Sequence, residues 1–96
     1  MSGGYLEYEQ YKTYWMADAI EQLIYENNSE ELNQWGDKKG REYTEKTISE
    51  FRTAVRLLRR AGIYAQRIDW LVSCDDVEDT FHKRLALELA AESDNT

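Results

Sequence analysis

The chain has 96 residues, and its 19 acidic side chains outnumber 12 basic ones for a net charge of −7. A chain of this length reads as one domain that buries a little over ~60% of its unfolded surface, so self-association or a partner would supply burial that the monomer lacks. One cysteine excludes an internal disulfide and fits a reducing, cytoplasmic setting. No apolar run reaches the ~20 residues of a membrane span, and the N-terminus lacks the basic and apolar regions of a signal peptide.

The charge is ordered along the chain. Residues 1–35 hold seven acids and one lysine, a net of −6; residues 36–74 hold nine basic and five acidic side chains, a net of +4; residues 75–96 hold seven acids and two basic side chains, a net of −5. The arginine-rich middle must therefore face the protein's own acids, a partner, or a polyanion.

There is no proline, and five glycines at 3, 4, 36, 40 and 62 divide the chain. No stretch alternates with the period of a strand, so the expected class is all-α, a compact bundle of four to five helices at about 5–26, 29–35, 44–61, 63–73 and 76–92. Residues 1–96 form one domain, with flexible ends at 1–4 and 93–96.

In the first helix, Tyr8, Tyr11, Trp15, Ala19 and Leu23 recur at steps of three and four, and Met16, Ile20 and Ile24 broaden this inward face. Glu7, Tyr14, Asp18, Glu21 and Tyr25 fall on the opposite arc, an acidic face lined with tyrosine. Such a face is either plain solvated surface or a contact surface for a protein partner, because tyrosine offers a large rigid area with a polar tip. Asn27-Asn28-Ser29 breaks the helix, and Asn28 with Glu31 has capping-box spacing for a short helix ending at Gly36. Trp35 reads as a core plug. The basic loop 36–41 has too few glycines, and no preceding strand, for a phosphate cradle.

The central helix has capping-box spacing at Thr47 and Glu50, with Thr44 an alternative start. Arg59 and Arg60 fit its last turn, and Gly62 fits a left-handed cap. Ile48, Phe51, Ala54, Val55, Leu58 and Ala61 cover one face; Arg52, Arg56, Arg59 and Arg60 cover an arc on the other. Those arginines answer acids of the same chain, acids of a partner, or phosphates. Ala54 to Leu71 could form a helix-turn-helix corner about Ala61-Gly62-Ile63. Its second helix, with Tyr64, Gln66, Asp69, Trp70 and only Arg67 as a cation, is a poor reader of DNA. The segment 63–73 reads as a short buried helix. In the last helix Asp75 and Glu78 form a cap, and Val77, Phe81, Leu85 and Leu89 form an inward stripe.

No catalytic, cofactor or metal site is expected. Asp75, Asp76, Glu78 and Asp79 lack the ligand spacing of a calcium loop; Cys74 reads as a buried or half-buried apolar residue and His82 as a solvated one. The expected role is non-enzymatic protein–protein interaction by a small acidic regulator, adaptor or inhibitor, with self-association as a homodimer or other homo-oligomer. A specific form is mimicry of nucleic-acid charge, as in accessory proteins of phage and mobile elements. The alternative is a nucleic-acid-binding module using Lys38, Lys39, Arg41, Arg52, Arg56, Arg59 and Arg60, which the fourteen acids of the flanking blocks oppose.

Overall fold

Three helices, α1 (Tyr11–Glu26), α2 (Glu45–Val72) and α3 (Glu78–Asp94), make up the computed structural model, which describes residues 4–94. The all-α class holds, but the expected four to five helices do not. Helices expected at 44–61 and 63–73 are one continuous α2 of 28 residues, about 42 Å long. Thr44 starts it, with Oγ1 accepting from the Thr47 N–H at 3.4 Å. The helix runs straight through the glycine read as its end. A helical glycine costs only about 1 kcal/mol against alanine, and the contacts made on both sides of Gly62 outweigh that. What Gly62 supplies is room. A Cβ there would lie 2.5 Å from Thr13 Oγ1 and 2.8 Å from the Tyr14 ring, so the missing side chain is where α1 seats against α2.

The stop comes at Cys74. The Cys74 N–H donates to Leu71 O at 3.2 Å and the Asp75 N–H to Trp70 O at 2.9 Å. This is the Schellman pairing, with Cys74 in the left-handed position at φ 65°. Cys74 is exposed, not buried or half-buried as expected. The next helix starts at Glu78, two residues later than expected, and Asp76 lies two residues before it. Asp76 Oδ1 accepts from the Val77 N–H at 3.1 Å and from the Thr80 hydroxyl.

α1 is shorter than expected. Residues 5–10 form turns, with Glu7 and Tyr8 left-handed at φ 55° and 63°. Asp69, fully buried on α2, holds this arm: its carboxylate accepts from the N–H groups of Gly4 and Leu6, both at 2.9 Å, and from Gln10 Nε2 at 3.2 Å. Gly4 is thus anchored, and of the ends expected to be flexible, residues 1–3, 95 and 96 lie outside the described residues. The anchoring also sets the phase of α1. Its buried side consists of Gln10, Ala17 and Asn27, with Thr13, Tyr14, Ile20 and Ile24 half-buried beside them; Tyr8, Tyr11, Trp15 and Ala19, expected inside, are exposed. Hydrogen bonding by buried polar groups, which an apolar pattern does not report, has rotated the helix.

The short helix expected at 29–35 is a small hairpin. The Gly36 N–H donates to Asn33 O at 3.1 Å, Asn33 Oδ1 accepts from the N–H groups of Trp35 and Asp37, and Leu32 and Lys38 form an isolated antiparallel bridge. Asn33 and a left-handed Gly36 (φ 84°) suit this turn. Trp35 therefore sits at a hairpin tip, 75% exposed, and plugs no core.

α1 and α3 both pack on α2, and among the described residues their backbones do not approach each other. The result is a single layer measuring 52 × 27 × 14 Å with α2 in its middle. Its radius of gyration of 17.1 Å exceeds the about 12–13 Å of a globular chain this long. The apolar core is small: Ala17, Ile48, Val55 and Ile63. No described helix is long and apolar enough to cross a membrane.

Candidate functional site

The arginines on α2 lie where the layer is incomplete. Between α1, α2 and the end of α3 runs a groove of about 270 Å³ over Ile24 and Val55, edged by Glu21, Glu92, Arg52, Arg56 and Arg59. Arg59 is half-buried and bridges the two elements: its guanidinium pairs with Asp18 at 3.4 Å and, more closely, with Glu21. That bond to Glu21 raises its already high pKa. Arg52 turns back along α2 to Glu45 at 2.6 Å, and Arg56 donates to Thr53 Oγ1 at 3.4 Å. Arg52 and Arg56 are exposed; Arg60, half-buried, lies further around α2.

The structure thus splits the expected interaction set. Asp18 and Glu21 meet Arg59. Tyr14 turns inward against Gly62, where burial and then the charges of Glu88 and Glu92 raise its hydroxyl pKa. Glu7 lies in the N-terminal turns, and Tyr25 stands 87% exposed near the end of α1. Of the basic loop, Lys38 pairs with Glu42 at 3.4 Å and Lys39 with Glu31 at 3.9 Å; Arg41 is exposed. The basic residues proposed for nucleic acid occupy no common face with a turn between two helices, because α2 does not turn at residues 61–63.

A charged cluster that sequence reasoning did not assemble ties α3 to α2. Arg67, buried, pairs with Glu88 at 2.6 Å and Asp76 at 3.8 Å, and stacks 4.1 Å from the centre of the Trp70 ring. Arg84 approaches Asp76 from α3 at 3.7 Å. The Thr80 hydroxyl, then the Val77 N–H and the two arginines, hold the Asp76 carboxyl below its ordinary pKa against the effect of burial. At Asp69 burial pushes the pKa up, but the donors from Leu6, Gly4 and Gln10 outweigh it and the value falls. Both clusters are structural, each joining elements distant in sequence, which is why periodicity could not reveal them.

One open surface is aromatic. Tyr8, in the turns before α1, stacks on Tyr11 at 6.2 Å, and Trp15, one turn beyond Tyr11, is 71% exposed. No group of His, Cys, Asp and Glu among the described residues is arranged to hold a metal ion. No protein-family model, curated protein or solved structure matches the chain.

Proposed function

We infer that this protein acts by binding another protein, as a non-enzymatic regulator or inhibitor. The observation that carries this is the aromatic surface at the start of α1: Tyr8 stacked on Tyr11, with exposed Trp15 one turn on, in an N-terminal block of net charge −6. Large aromatic side chains standing in water are typical anchors of an interface, and surrounding acids favour a basic partner surface. A surface that ordinarily holds nucleic acid is one such partner, which gives the charge-mimic form of the proposal. The pairing of Arg59 with Asp18 and Glu21 supports this over phosphate binding, since it leaves Arg52 and Arg56 as the exposed arginines of the groove.

The test is affinity capture from the source cell with the full chain as bait, followed by titration of the retained protein. Trp15→Ala is expected to weaken binding by roughly thirtyfold, as loss of about 2 kcal/mol at an anchor would, with helicity unchanged. Retention that is indifferent to Trp15 and Tyr11 would overturn the assignment of this face. A salt-dependent shift of labelled DNA, lost on Arg52→Glu and Arg56→Glu, would replace it with the nucleic-acid reading.

A further inference from the structure

α2 carries a second open face, on the side away from α1 and α3. Ala54, Leu57, Ala61, Tyr64, Ile68 and Leu71 follow one another at alternating steps of three and four, the spacing of a two-helix seam. Leu57 is 61% exposed, Tyr64 and Ile68 are each 42% exposed, and Ala61 is exposed too. The seam extends about 27 Å without a charged residue; Glu50, next in the register, bounds it on one side and the end of α2 on the other.

We propose that a second copy of this chain packs antiparallel along this seam, α2 against α2, about a two-fold axis level with residues 62 and 63. Two properties select a second copy. The first is size complementarity under reversal. That axis places Ala61 opposite Tyr64 and Ala54 opposite Leu71, so small residues meet large ones in those layers, while Leu57 meets Ile68, two branched aliphatics, between them. A parallel pair would stack alanine on alanine at 54 and 61 and tyrosine on tyrosine at 64, leaving gaps at the first two and crowding at the third. Antiparallel helices also oppose their dipoles favourably. The second is area. The chain exposes 7029 Å², whereas a globular monomer of this mass exposes about 5,800 Å². The excess of about 1,200 Å² is more than the roughly 800 Å² that one partner buries in a standard interface. Two acidic copies can meet here because the seam itself is neutral. This face is distinct from the aromatic face of α1, so the two proposals stand or fall separately.

Sedimentation of the full chain at about 50 µM is expected to give twice the 11.4 kDa of one copy, falling to one copy in Leu57→Lys/Ile68→Lys at unchanged helicity. To fix the pairing, Leu57→Cys and Ile68→Cys are made separately in a Cys74→Ser background. Under mild oxidation an equimolar mixture is expected to yield the mixed disulfide dimer, identified by mass, while neither variant alone cross-links. Cross-linking of each variant with itself would overturn the antiparallel register. A dimer in which neither the mixture nor the single variants cross-link would move the interface to another face. A monomer at this concentration would overturn self-association, while capture of a different protein through Trp15 would still succeed or fail by itself.

Discussion

Gly62 and Cys74 exchange the roles that residue type assigns them. Gly62 sits in regular helix where a side chain has no room, and Cys74 takes the left-handed position that glycine normally fills. Gly62→Ala, stabilising on an open helix, is expected here to lower unfolding free energy by about 1–3 kcal/mol through overpacking of Thr13 and Tyr14. Cys74→Gly is expected to raise it by about 1 kcal/mol by relieving the left-handed strain. Urea titrations of the two variants check both signs. The buried aspartates set the acid limit of the fold. Asp69 and Asp76 have native pKa values below the ordinary one. Their contribution is therefore complete above the unfolded aspartate value of about 4 and is lost as pH falls through the lower native values. Melting temperature should fall as pH drops below about 4, and Asp69→Asn should melt lower at pH 7 with a shallower acid decline. A melt series across pH for both proteins tests this.

Two polar clamps decide how the helices and their connections are placed. Asn27, at the end of α1, acts as a short strand edge for the returning chain: Oδ1 accepts from the Tyr43 N–H at 2.9 Å, and Nδ2 donates to Tyr43 O at 3.0 Å. Asn27→Ala would leave the Tyr43 groups unpaired, at about 1–3 kcal/mol; hydrogen exchange should show the Tyr43 amide losing protection before the middle of α2 does. Gly40 fits the same corner, where a Cβ would fall 2.6 Å from the carbonyl oxygens of Asn27 and Ser29. The second clamp is Arg67. Its replacement by Met strands half-buried Glu88 and leaves Asp76 only its partners on the α3 side, Val77, Thr80 and Arg84, so α3 is expected to lose protection while α1 and α2 keep theirs. Asparagine was legible as the end of a helix because it competes with the backbone for hydrogen bonds; its partner sixteen residues on was not.

At the scale of the molecule, a thin layer leaves most large apolar side chains only partly covered. Stability then depends on what covers the rest, so the melting temperature of the wild-type chain should rise with protein concentration, and the Leu57→Lys/Ile68→Lys variant should melt independently of it. The α2 seam could not be read from the sequence once a helix end had been placed at Gly62. A break there resets the phase of the helix, so Leu57 and Ile68 no longer share a face. The arginine arc survived that error because all four arginines precede residue 62, and Arg59 does meet the acids of the first helix.

Helical class, the Thr44 start and the charge blocks followed from sequence alone, because capping chemistry, missing proline and net charge are local or additive. Ile48 and Val55 lie buried as their spacing indicated, but which face of α1 is buried was decided only by tertiary structure. Asp69 anchors the N-terminal arm and turns Tyr11 and Trp15 outward, Gly62 admits α1, and Arg67 gathers α3. Each of these acts on residues far along the chain, and a buried hydrogen bond or a missing methyl group outweighs the weak preference of a helical stripe for one side.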